Sequence, residues 1–304
     1  AAASDSGAVI LDSSGAAVTL NAGVVTAGGA ISINGDVVLG SAANVALDTT
    51  NAGAQPAGAN IMIAGLVNDD VAGTTGLALS AGSGGTNTLN GAVGNTPPIA
   101  SLTVNGNATA INGGTVNTTG NQTYNSAVTL GGPTTLAATD ATGNVAINNT
   151  LSGVPHTLTV NAGGNIDVRG NVTSGPQSFT AGGDITVGSD ITVTGGNITY
   201  SAGGNIALDS ASPALGAIRT ADAVTLSANA ITQGADAVIQ AGSLTTSTAN
   251  GASLTGSNEV SAFNATNTAS GNVALTNTGD LSVTGISNLV GNVSVSTNGN
   301  LSLA

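Results

Sequence analysis

GGNIDVRGNVTSGPQSFTAGGDITVGSDITVTGGNITYSAGGNIAL, residues 163–208, contains one phrase four times. The phrase begins at Gly163, Gly182, Gly195 and Gly203, with two glycines, then Asn or Asp, then an apolar–polar–apolar (or aromatic) alternation. Glycine, Asn and Asp accept positive φ, so the opening predicts a turn. The alternation predicts a short strand with one buried face. In GGNIDV it places Ile166 and Val168 inward and Asp167 outward. A turn-plus-strand unit repeated at near-constant spacing is the signature of a solenoid.

The spacing sets the coil. Gly143, Gly164, Gly183 and Gly204 are 21, 19 and 21 residues apart. Gly271 and Gly291 are 20 apart, as are Gly279 and Gly299. A second phrase follows 8 residues later at Gly204, Gly279 and Gly299, so two phrases share one coil. The expectation is an all-β chain, a right-handed parallel β-helix of about 20 residues and two or three short strands per coil, with about 15 coils. Because a solenoid grows by adding coils, residues 1–304 read as one shaft segment rather than two globular domains.

Composition narrows the function. The chain has two Arg, no Lys and fifteen acids, for a net charge of −13. Nucleic acid and anionic membrane both require basic surface, so neither is an expected partner. Without cysteine there is neither a disulfide framework nor a thiolate metal site. No apolar run is long enough for a membrane-spanning helix, so membrane insertion is not expected. The opening AAASDSG has no charged leader, and the last repeat ends without a polar cap, so the chain reads as a segment of a longer one.

Along the chain, AVILD (8–12), AISING (30–35), GDVVLG (35–40) and NVALD (44–48) are strand candidates. Three stretches break the rhythm and are expected as irregular lateral loops: 49–60, 82–98 and 250–265. Pro97 and Pro98 exclude a paired central strand around them. Pro133, Pro155, Pro176 and Pro213 fall in expected turns. Insertions in solenoids map to outer loops and often bind ligands. Replacing 49–60 by a two-residue turn is therefore expected to remove no inward residue.

Groups able to do chemistry are few. Asp167 and Arg169 share one side of a strand and read as a surface pair. Asp69 and Asp70 point apart in an extended backbone, which is wrong for a glycosidase pair. His156, the single histidine, follows Pro155 in a turn and reads as a solvated loop residue. The turn Asn and Asp do not follow the nonapeptide spacing of calcium β-rolls, and turn geometry and stacked ladders account for them. Four aromatics, Tyr124, Phe179, Tyr200 and Phe263, are too few for sugar-stacking platforms. No catalytic, cofactor or metal residue is assigned, and the chain does not read as an enzyme.

The GGNIxV phrases of 163–208, TTGNQTYNSAVTLGG at 118–132, GSGGTNTLNGAVGN at 82–95 and LDTTNAGAQPAGANI at 47–61 give the whole chain a likeness. It resembles the filamentous-haemagglutinin-type exoproteins of two-partner secretion, the β-strand-repeat adhesins. The resemblance implies a right-handed parallel β-helix shaft, an extracellular or bacterial cell-surface address and an adhesive role. It also implies an outer-membrane transporter as secretion partner and a receptor on a host or neighbouring cell. The alternative is a subunit of an extracellular fibre, sheath or surface layer whose β-solenoid rods associate end to end. Oligomeric state separates the two.

Overall fold

The computed structural model describes residues 7–13, 15–40, 44–209 and 217–304. The turn expected at Pro213 and the opening residues 1–6 lie outside them. Among the described residues the chain is all strand and turn, with no helix. It is a parallel β-solenoid of about 13 turns, at roughly 21 residues per turn. The shortfall from 15 coils comes from lengthened coils, the longest in the N-terminal half and one in the second unit, where Ile198 pairs with Val224. Ile31 pairs with Ile61, and Val45 with Leu77.

The contacts divide the chain into two compact units, Ala1–His156 and Thr157–Ala304. Each is three-sided. In the first unit one side stacks Val9–Leu11, Ile31–Ile33, Ile61–Ile63 and Thr86–Leu89. A second stacks Val18–Leu20, Val37–Leu39 and Val67–Asp69. A third stacks Val45–Asp48, Leu77–Ser80, Leu102–Asn105 and Gln122–Tyr124. All these pairings are parallel. In the second unit, Ile166–Val168, Ile185–Val187, Ile206–Leu208 and Ile231–Gln233 form one such side. Ile166, Ile185, Ile206 and Ile231 thus stack directly over one another.

Burial follows the alternation. Ile166 and Val168 are fully buried and Asp167 is half-exposed, as the sequence predicts. Each buried Ile, Val or Leu contributes about 1.5–3 kcal/mol, and coil after coil presents several. The four aromatics are all inside. Phe179 and Tyr200, on adjacent coils, stack with centroids 4.6 Å apart and planes 9° apart. The buried phenol of Tyr200 donates to Gln177 Oε1 at 2.7 Å, and that of Tyr124 donates to Gln122 Oε1 at 2.7 Å. Burial pushes both phenols up, so both remain neutral donors.

The turn Asn and Asp link coil to coil. Asn165 Oδ1 accepts the Asp184 amide at 2.8 Å, and Asp184 Oδ1 accepts the Asn205 amide at 2.7 Å. The first unit uses the same device. Asp36 takes the Leu66 amide, Asn60 the Thr86 amide and Asn121 the Asn144 amide, at 2.8, 2.9 and 2.9 Å. Side-chain amides also run in ladders along the outside: Asn148 donates to Asn125, and Asn125 to Asn105, each at 2.8 Å. A corner that cannot bond within its own coil is satisfied by its neighbour.

The double glycines serve a different purpose from the one expected at two of the four phrases, those at Gly182 and Gly203. Gly195 and Gly196 do take positive φ, 68° and 140°. Gly182 and Gly203 do not. A Cβ on Gly182 would lie 2.1 Å from the Gly163 carbonyl oxygen, and one on Gly203 2.3 Å from that of Gly182. Glycine is needed there because successive corners nest backbone on backbone.

The stretch 250–265 is not a loop. Ala252–Asn267 is a single 16-residue strand that rounds two corners while alternating between buried and outward residues. Polar side chains inside the corners make this possible. Buried Asn258 Oδ1 accepts from Gln233 Nε2 at 2.7 Å and from the Ile239 amide at 2.8 Å. Its Nδ2 donates to Gln233 Oε1, Leu254 O and Thr276 O at 3.1 Å each. Gly256 leaves room, since a Cβ there would meet Ala237 O at 2.0 Å. The stretch looked irregular because its inward residues include Gly and Asn rather than Val and Ile. Residues 82–98 likewise contain a regular strand, Thr86–Leu89, between two turns.

Two substitutions test the packing. Gly203→Ala drives a methyl into a carbonyl of the coil beneath and is expected to cost about 1–3 kcal/mol in denaturant unfolding. Gly132→Ala, with nothing within 4 Å of the new Cβ, is expected to change stability by less than about 0.5 kcal/mol. A second pair tests the register. Ile166→Asp buries an unpaired carboxylate and should cost several-fold more than Asp167→Asn, expected within about 0.5 kcal/mol. Equal effects within either pair would contradict the assignment.

Candidate functional site

The residues singled out by chemistry are held by the fold rather than gathered into a centre. Asp69 is buried at 2% exposure, and its carboxylate accepts the amides of Thr74 and Thr75 at 2.8 Å and of Asp70 at 3.1 Å. It ties down the corner at 70–76. Asp70 is exposed on the other side of the backbone, so the two do not form a working pair. Asp167 and Arg169 form an ion pair on the outer face, with the arginine 67% exposed. Such pairs contribute little to stability. His156 is half-buried in the 153–157 corner. Among the described residues no group of three His, Asp or Glu side chains could hold a metal ion.

Arg219 belongs to a polar row absent from the sequence reading. Its Nε donates to Gln240 Oε1 at 2.7 Å, and Gln240 Nε2 donates to Glu259 Oε2 at 2.8 Å. Arg219, Gln240 and Glu259 are register partners on three successive coils. Arg219 also lies 3.8 Å from Asp190. The signal in the sequence was the spacing between the three, one coil each time, at positions whose residue types vary.

The insertion at 49–60 is the most elaborate corner. Thr49 is fully buried, and its hydroxyl accepts the Ala59 amide at 2.9 Å and donates to Ala59 O at 3.0 Å, closing the base of the loop. Asp48 organises the entry, accepting from the Thr50 amide, the Thr50 hydroxyl and the Ala52 amide at 2.7, 2.6 and 2.8 Å. Asn51 and Ala52 take positive φ, 51° and 54°, under that carboxylate. Burial pushes the Asp48 carboxyl up, but hydrogen bonds from the Thr50 hydroxyl and the two amides outweigh it and hold it below its ordinary value. On the far side Pro56 O and Ala57 O accept the amides of Ser83 and Gly84 at 2.9 and 2.8 Å. The loop is therefore stacked on the next coil's corner, and 51–57 form its outward run. This corrects the expectation that 49–60 could be removed without touching the core, because Thr49 belongs to it.

Outside this corner the faces are built from Thr, Ser, Ala and Asn, with shallow grooves between coils such as that over Thr159, Ser178 and Thr199. No protein-family model, no curated protein and no solved structure matches the chain.

Replacing 51–55 by two glycines, with Thr49 and 56–60 kept, is expected to leave the melting temperature within about 2 °C. Removing all of 49–60 should lower it clearly, since buried Thr49 goes with it and the amides of Ser83 and Gly84 lose their acceptors. Asp48→Asn should cost about 1 kcal/mol. The folded-state pKa of Asp48 lies below its unfolded value. Its contribution is thus fully present above the unfolded pKa and is lost as pH falls through the folded one. Thermal melts with chelator and with millimolar calcium should coincide, and a large calcium-dependent rise would show that the turn carboxylates are ligands.

Proposed function

We propose that the chain is a structural and adhesive shaft of a large secreted or cell-surface bacterial adhesin of the filamentous-haemagglutinin type. The observation that supports this best is the use of the polar side chains. Turn after turn, Asn and Asp carbonyls are committed to the amides of the neighbouring coil, from Asp36 to Asp280. A stack tied at corner after corner resists bending and pulling, which suits a spacer that holds binding surfaces away from a cell. On this reading the corner at 51–57 carries the adhesive contacts, and the partner is a receptor on a host or neighbouring cell. An outer-membrane transporter exports the protein, and its address is the bacterial surface or the medium.

The test is adhesion under load. Beads coated with the chain, and with the 51–55 replacement, are offered to cultured epithelial cells and to bacterial lawns in flow. The expected result is retention of the wild-type beads that falls at least about tenfold, roughly 1.4 kcal/mol, with the replacement. Retention of neither, together with self-assembly of the free chain into filaments, would favour a fibre subunit instead. Cleavage of a polysaccharide would contradict both.

A further inference from the structure

Six Asn-Gly pairs occur in the sequence, at 34, 90, 105, 112, 250 and 298. This dipeptide permits a self-modification, because the glycine nitrogen can attack the preceding side-chain carbonyl with no Cβ in the way. The coil-to-coil ladders treat these pairs differently. Asn90 Oδ1 accepts a hydrogen bond from Asn112 Nδ2 at 2.8 Å, and Asn105 Oδ1 accepts one from Asn125 Nδ2 at 2.8 Å. Each donor polarises the carbonyl and points at the oxygen on which negative charge develops during attack. The Nδ2 of Asn90 and of Asn105, the group that must leave, has no hydrogen-bond partner among the described residues, and neither do the amides of Gly91 and Gly106. Both glycines are half-exposed, within reach of solvent base.

Asn250-Gly251 differs at the nucleophile and at the leaving group. Asn250 Nδ2 donates to Asn229 Oδ1 at 2.7 Å, and its Oδ1 accepts from Ser270 Oγ at 2.9 Å. The Gly251 amide is itself donated to Asn267 Oδ1 at 2.9 Å, and Gly251 is buried. The carbonyl is polarised here as at Asn90 and Asn105, but the nucleophile and the leaving group are both engaged.

We propose that Asn90 and Asn105 are sites of spontaneous deamidation in the folded protein, and that Asn250 is protected from it by the fold. Solvent base takes the proton of the Gly91 amide, and the nitrogen bonds to Asn90 Cγ. The Cγ–Nδ2 bond then breaks, and the nitrogen departs as ammonia with a proton from water. Water adds to one carbonyl of the resulting succinimide, and the ring opens to aspartate or isoaspartate. The net change is amide plus water to carboxylate plus ammonium, and each event adds one negative charge. Aspartate at 90 or 105 keeps an oxygen for the ladder donor. Isoaspartate lengthens the backbone at the corner and breaks the stack there.

The test uses the intact chain, incubated for weeks at pH 8.5 and 37 °C and mapped by peptide mass and isoaspartate detection. Conversion at Asn90 and Asn105 is expected to run at least about tenfold faster than at Asn250 in the folded chain. In strong denaturant, where all the pairs are flexible, Asn250 should catch up. Equal rates in the folded chain, or no conversion at Asn90 and Asn105, would overturn the proposal. So would an Asn250 that remains slow when unfolded, since the protection would then be local sequence and not the fold.

Discussion

The structure depends on one hydrogen bond repeated at corner after corner: a side-chain carbonyl of Asn or Asp taking a backbone amide of the coil that follows. A short strand has few ladder bonds of its own, and a corner leaves amides with no partner. At these exposed corners each such bond contributes about 0.5–1.5 kcal/mol. In Asn165, Asp184, Asn60 and Asp36 the side chain stands in for the missing strand neighbour. Each link joins residues about one coil apart, so the same bond that satisfies the corner also fixes the register between coils.

The tightness of the nesting follows from that link. Corners held by an Asn or Asp come close enough that Gly182 and Gly203 admit no side chain. Where the link is replaced by an inward polar cluster, as at Gln233 and Asn258, the corner needs no turn and the strand runs on through it. The insertion at 49–60 supplies an equivalent closure of its own, through the Thr49 hydroxyl.

Much of this was legible in the sequence. The phrase around Ile166 and Ile185 carried the coil length, the strand polarity and the parallel stacking, because alternation and spacing follow directly from pleat and repeat. Coil number was overestimated, since an average taken from tight coils misses the long one between Ile31 and Ile61. The strand through 252–267 was missed because Asn258 and Gly256, polar and small, occupy inward positions that a hydrophobic pattern does not recognise. The role of Gly203 was also hidden, as a glycine kept for space and a glycine kept for positive φ read alike. Asp69 and Asp70 were correctly separated by the strand period, although the burial of Asp69 in a nest of amides depends on a corner geometry that no local pattern encodes.

The coil-to-coil carbonyl is most directly tested by amide hydrogen exchange at Asn205 in the wild type, Asp184→Asn and Asp184→Ala. Asparagine keeps the accepting oxygen, so protection at Asn205 should survive in Asp184→Asn. In Asp184→Ala it should fall about tenfold, with a loss of about 1–2 kcal/mol in global stability. Unchanged protection at Asn205 in Asp184→Ala would contradict the account, for the turn carboxylate would then be ornament to a stack held by its strands alone.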